Sequence, residues 1–186
     1  MRARKVEGLD PSAPLADQAQ RIVLTRLEEV EAFVPAVFDA AEVEALHDMR
    51  IAAKRLRYVL ETMAEPCFGP YAAEAAERTK ALQDLLGDVH DCDVLLPRVR
   101  ALLDRAREED RLEARRRGGD RRDLPAKAVR GLPHASSRRG LETLELYVQA
   151  RREHLFERFL LLWRDLEREG LGSRLRYAIT ERPVPR

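Results

Sequence analysis

Leu46-His47-Asp48-Met49-Arg50-Ile51-Ala52-Ala53-Lys54-Arg55-Leu56-Arg57-Tyr58-Val59-Leu60-Glu61 is the stretch on which the reading of this chain turns. Laid on a helix at about 100° per residue, it divides into two opposed faces. His47, Arg50, Lys54, Arg57 and Tyr58 share one arc; Leu46, Met49, Ala53, Leu56, Leu60 and Met63 share the other. No acid occurs from Met49 to Leu60, although the chain carries 33 acidic residues against 34 basic ones. A helix shaped only for solubility would mix its charges and gain from opposite-sign pairs at i,i+4. Here positive charge is gathered along one stripe, the pattern expected for an anion site.

The surrounding composition agrees with a helical fold. Charged residues make up 36% of the 186 and aromatics only 5%, with Ala, Leu, Arg and Glu dominant. That describes helices with a narrow apolar seam, in a chain long enough to bury a core as one domain. A net charge of +1 argues against coating nucleic acid through a global field, so an anion site must come from local segregation. The two cysteines, Cys67 and Cys92, form no CxxC and are expected to be reduced thiols of a cytoplasmic protein. No apolar run approaches the roughly 20 residues that cross a bilayer. The basic start, Met1 to Lys5, lacks the apolar core of a signal peptide.

The fold class expected is all-α, an antiparallel helical bundle of about five long helices. Residues 1–11 read as a disordered tail, 12–178 as one helical domain and 179–186 as a second disordered tail. A first helix is predicted over about 14–34, ended by Pro35, and a second over about 39–64, opened by an Asp39/Glu42 capping box. A tight connection follows through Glu65-Pro66-Cys67-Phe68-Gly69-Pro70. The third helix, about 71–86, should stop at Gly87, and the fourth, about 91–109, should kink at or start from Pro97. Residues 110–139 are rich in Arg, Gly and Pro without apolar period and read as a flexible connection, with an anion-binding arm as the alternative. The last helix, about 140–169, buries Leu141, Leu144, Val148, Leu155, Phe159, Leu162 and Leu166. Arg151 interrupts that row and must be paired, meet a ligand, or lean sideways to solvent.

His47, Arg50, Lys54 and Arg57 lie about one turn apart and span about 15 Å. Arginine forks match phosphate oxygens in pairs, and lysine adds a compact charge. Lys80 and His90, in the segment leading to Asp91, could add donors, while Asp91 itself could pair with Arg55 or Arg57 and hold the basic helix. Such a line suits an extended chain of phosphates better than one small metabolite. Neither a base-reading motif nor interleaved exposed aromatics supports sequence-specific nucleic-acid recognition. The His-Asp dyads at 47–48 and 90–91 offer a rival reading, an HD-type metal-dependent phosphohydrolase. Only His134 and His154 remain to complete it, and four cations would repel the metal.

His47-x-x-Arg50-x-x-x-Lys54-x-Leu56-Arg57-Tyr58, followed by Leu82-Gln83-x-x-Leu86-Gly87-x-x-His90-Asp91, resembles the conserved histidine α-helical domain, the CHAD family. The Arg151 segment, with Leu155, Phe159 and Trp163, is similar to a further helix of that family. The resemblance covers about residues 12–178 and implies a helical bundle binding inorganic polyphosphate through basic positions, here His47, Arg50, Lys54 and Arg57. With no nucleophile–base pair and no phosphate-cradling Gly-rich loop in the sequence, no catalysis, cofactor or metal is expected. The resemblance also implies triphosphate-processing CYTH-type partners and association with polyphosphate granules. Full-length CHAD domains carry two similar halves, and only one such basic helix occurs here. Pairing of two chains as a homodimer would rebuild the second half, with a gain in avidity. A scaffold that docks an acidic protein on the stripe is the chief alternative function.

Overall fold

In the computed structural model, which describes residues 2–180, about 80% of the chain is helical, and no strand occurs among the described residues. Two compact units divide it: residues up to His90 together with those from Leu155 onward, and residues Asp91–His154. Two long helices contribute to both.

In the first unit α1 (Leu15–Glu31) buries Ala19, Val23, Leu27 and Val30, a row spaced four, four and three. It stops three residues short of the expected Val34. Pro35 supplies the reason: it cannot donate to the Glu31 carbonyl, and its ring would collide with it. α2 (Val43–Val59) begins later than the capping box predicts. Asp39 Oδ1 accepts from the Ala41 N–H at 2.8 Å, closing a turn before the helix, and Glu42 makes no side-chain cap. Leu46, Met49, Ala52, Ala53, Leu56 and Leu60 are almost wholly buried. The helix then widens into a π turn (Leu60–Ala64), where Pro66 removes the bond to the Thr62 carbonyl. The expected tight connection is a further helical turn, α3 (Glu65–Phe68), ended by Gly69 at φ +79°.

The third and fourth helices of the sequence reading are one, α4 (Pro70–Gly118, 49 residues). Gly87 does not adopt a positive φ, and the exposed Pro97 is carried inside the helix. Leu82 and Leu86 before Gly87 and Val89 after it are buried, so packing outweighs the small helix penalty of one glycine. α5 (Ala135–Glu169) sends Phe156, Phe159, Trp163 and Leu166 into the same core. Gly170, at φ +69°, ends it. A short α6 (Leu171–Thr180), unforeseen as a separate helix, adds Leu175 and Ile179. The expected tail at 179–186 therefore begins inside a helix, and 181–186 lie outside the described residues. The segment before α1 carries no helix, yet it is tethered: Arg26 donates to the Arg4 carbonyl at 3.1 Å, and the Arg4 N–H donates to Glu29.

The second unit pairs the α4 stretch from Asp91 with the α5 stretch to His154. Cys92, Val99, Leu103, Ala106, Ala114, Ala128 and Val148 form its core. Asp93–Arg152, Arg100–Glu145 and Arg107–Glu142 ion pairs join the two stretches. The region 110–139, expected to be flexible, is helical to Gly118 and again from Ala135. Its centre is Asp110, 3% exposed, which accepts from the His134 N–H at 3.0 Å and from Arg138 Nε at 2.7 Å. Cys67 and Cys92 are free thiols. None of the described helices is long and apolar enough to cross a membrane.

Candidate polyanion-binding face

The basic arc of α2 lies against the first part of α4, and the two run antiparallel. His47 meets His90, with Nδ1 to Nδ1 at 3.2 Å and ring centroids 4.4 Å apart. One step along, Arg50 lies over Gly87: a Cβ there would sit 3.5 Å from Arg50 Nε. Farther on, Arg57 Nε donates to Gln83 Oε1 at 3.0 Å. Beyond it, Lys80 feels the positive charge of Arg57. His47, Arg50, Lys54 and Arg57 are spaced three, four, three; so are Lys80, Gln83, Gly87 and His90. One face of each helix thus supplies a row, and the rows meet in opposite order.

The charge on this face is unevenly balanced. Arg57 Nη1 pairs with Glu61 at 3.0 Å, and its guanidinium stacks 4.7 Å from the Tyr58 ring centroid. Lys80 Nζ pairs with Asp84 at 2.9 Å, and that hydrogen bond holds the ammonium above its usual range. Arg50 has no acidic partner among the described residues, and its Nε is buried without a hydrogen-bond acceptor. Lys54 is exposed, 5.7 Å from the Tyr58 centroid, and likewise meets no acid among the described residues. A buried guanidinium edge lacking an acceptor costs free energy that a bound oxyanion would recover.

The His47–His90 contact needs one ring to donate and the other to accept, so it holds at most one protonated imidazole without repulsion. Among the described residues no cluster of three or more His, Cys, Asp or Glu side chains could hold a metal ion. Arg55 approaches the fully buried Glu29 at 3.8 Å, and Arg26 meets that carboxylate at 2.8 Å. Arg55 and Arg57 thus find acids other than the Asp91 suggested by sequence. Arg151 lies in the second unit, where its Nη1 is 3.2 Å from Cys92 Sγ. It lines a pocket of about 310 Å³ with Leu95, Tyr147 and Val148.

A cavity of about 540 Å³ in the first unit is elsewhere, lined by Leu27, Val30, Leu82, Trp163 and Leu166 and by no cation. The basic face is an open surface, as an extended ligand requires. Gln83 and Gly87 are the residues whose part on this face sequence reasoning missed. Their three-four-three spacing with Lys80 and His90 was the available signal.

Comparison with curated proteins and with solved structures gave no match. The CHAD domain family model matches residues 2–100, a span that contains both rows of this face. With more than half its length matched, and with the paired histidines and basic row inside the match, the chain belongs to the CHAD family.

Proposed function

We propose that this protein binds inorganic polyphosphate on the face between α2 and α4, as a non-catalytic targeting or accessory domain. CHAD domains are associated with polyphosphate- and triphosphate-related proteins. The single observation that carries the reading is Arg50: a cation beside the glycine opposite it, with its Nε buried and unbonded. Lys54, Arg57 and Lys80 extend the positive face on one side of it, and His47 and His90 add ring nitrogens on the other. A row of cations at one-turn spacing with little shape selectivity fits a repeating anion. The exposed Lys54 and Tyr58 leave the face open to a chain longer than the site.

No serine, cysteine or threonine paired with a base belongs to this face, so the reading is one of binding rather than turnover. The HD-type alternative finds no third ligand beside His47 and His90 among the described residues. Within this reading the protein is cytoplasmic, joins polyphosphate granules, cooperates with CYTH-type triphosphate enzymes and pairs as a homodimer when avidity is needed. Arg151 is a supplementary phosphate contact. The rival scaffold reading, docking of an acidic protein, uses the same stripe without preference for chain length.

The test is polyphosphate binding by the wild-type protein and by Arg50→Glu/Arg57→Glu at two salt concentrations, with RNA as competitor. Tight, salt-sensitive binding that collapses in the folded double variant is the expected result, by the counterion-release logic of polyanion binding. Equal binding by both proteins, or none by either, overturns the proposal.

A further inference from the structure

We propose that the cavity of about 540 Å³ in the first unit binds a small apolar amine, a ligand separate from the polyphosphate of the α2–α4 face. Every residue lining it belongs to that unit. Its floor is core: Leu27 and Val30 of α1, Leu56 of α2, Leu82 of α4, and Trp163 and Leu166 of α5, all buried. Protein interiors pack as densely as organic crystals and keep few voids larger than a water molecule. A space of this volume falls instead in the range of small-molecule sites.

The rim is built where α5 gives way to α6. Gly170 turns the chain at φ +69°. Gly172 then lies against the end of α1, where an added Cβ would sit 2.7 Å from Glu31 Oε1 and 3.1 Å from Arg176 Nη1. Those two atoms are themselves bonded, Arg176 Nη1 donating to Glu31 Oε1 at 2.9 Å. A side chain at 172 would displace that pair, so glycine there lets the pair tie α6 to α1 beside the cavity.

The charge at this rim is acidic. Glu31 and Glu167 are the charged residues that line the cavity. Arg176 matches Glu31, whereas Glu167 is exposed and pairs with no cation among the described residues. A phosphate chain is therefore repelled here and a cationic head is drawn in. One helical turn before Glu167, Trp163 forms part of the wall. It is 9% exposed, and its buried Nε1 has no acceptor among the described residues.

The ligand chemistry follows from these two handles on an apolar wall. An N–H held from water without an acceptor is a cost that a ligand oxygen removes. An unmatched carboxylate at the mouth favours a protonated amine. Four residues at 1.5 Å rise place the handles about 6 Å apart along α5. The class that fits is an aliphatic or aromatic body carrying an amine and, a few bonds away, a hydroxyl or carbonyl oxygen.

The experiment uses the full chain and reads the emission of Trp163, its sole tryptophan, with thermal melts alongside. The probes are phenylalaninol, phenethylamine (which lacks the hydroxyl), hydrocinnamyl alcohol (which lacks the amine) and hydrocinnamate, an anion on the same body. Phenylalaninol should give a saturable change in emission and a raised melting temperature. Phenethylamine and hydrocinnamyl alcohol should each bind about fivefold more weakly, and hydrocinnamate should not bind at the same concentrations. Glu167→Gln should bring phenylalaninol down to the affinity of the alcohol. Leu171→Phe, which adds bulk to the half-buried wall, should abolish binding; Ser173→Phe serves if circular dichroism shows the first variant to have lost helicity. No saturable response to any probe overturns the site. Equal affinity for phenylalaninol and hydrocinnamyl alcohol, or equal binding by the wild type and Glu167→Gln, overturns the amine. Equal affinity for phenylalaninol and phenethylamine overturns the bond to Trp163. Undiminished binding by the folded phenylalanine variant places the ligand outside the cavity and overturns the proposal.

Discussion

Gly87 shows how one residue can mean two things. Read along the sequence it is a helix stop, because glycine favours the end of a helix. In the folded chain it is mid-helix, and its missing side chain leaves room for Arg50. The 3.5 Å approach of an added Cβ is ordinary contact, so Gly87→Ala should keep polyphosphate affinity and gain up to about 1 kcal/mol of stability. Gly87→Leu should displace the Arg50 guanidinium and weaken binding at least tenfold without loss of helicity. Calorimetric titration with thermal melts separates the two, and equal binding by the leucine variant would remove Gly87 from the site. Glu29 was invisible to the sequence reading, one charge among 33 acids, yet it is fully buried between Arg26 and Arg55. Glu29→Ala leaves those guanidinium groups without their shared acid and should cost about 3 kcal/mol or more in urea unfolding. A cost under about 1 kcal/mol would show the buried carboxylate to be dispensable.

At the scale of elements, periodicity was more informative than punctuation, of which Pro35 was read correctly and Gly87 was not. The apolar rows of α1 and α2 were legible because burial imposes a three-four spacing that solvent-facing residues do not share, whereas in α5 the expected row holds for Val148, Phe159 and Leu166 but not for Leu144, which is exposed. The break at Gly87 was misread because a local signal worth about 1 kcal/mol is outweighed where a long helix packs on both sides of it, while Pro97 does lie inside a helix as expected. The π turn has no sequence mark beyond Pro66, and α6 offers only Leu171, Leu175 and Ile179. Phe159, wholly buried where α5 meets the first core, is the residue on which that packing most depends. Phe159→Ala should lower stability by about 3–5 kcal/mol, read as a shifted urea midpoint at unchanged slope. A second element-scale expectation concerns the end of α4. Glu113 has its pKa lowered to about 2 by Arg116 and then Arg117. Because the folded value lies below the ordinary one, the contribution is present above about pH 4.5 and is lost as pH falls towards 2. Carboxyl carbon shifts should therefore show Glu113 titrating well below the ordinary glutamate range, with the 113–117 turn loosening in the same range. A Glu113 midpoint near 4.5 would mean that the two arginines do not hold it.

For the molecule as a whole, the family, the all-α class and the basic row could be read from sequence, because each rests on spacing within one helix. The partition into two units could not be read, because it depends on which halves of α4 and α5 pack where. The cores of the two units differ in depth. The first holds Phe159, Trp163, Met49 and several fully buried leucines; the second depends on Val99, Leu103, Val148 and small residues, with Asp110 bonded at its centre. Fewer buried apolar groups mean a lower free energy of local opening. Amides of 99–114 and 141–150 should therefore exchange with deuterium before those of 46–60 and 82–89, through an opening that leaves the first core folded. Asp110→Ala should widen the gap by freeing the His134 N–H and the Arg138 guanidinium, each of which then stays buried without its acceptor or turns to water. Exchange in 46–60 should be unmoved by that change, and so should polyphosphate binding at the α2–α4 face. Uniform acceleration throughout the chain would show a single cooperative body and contradict this division.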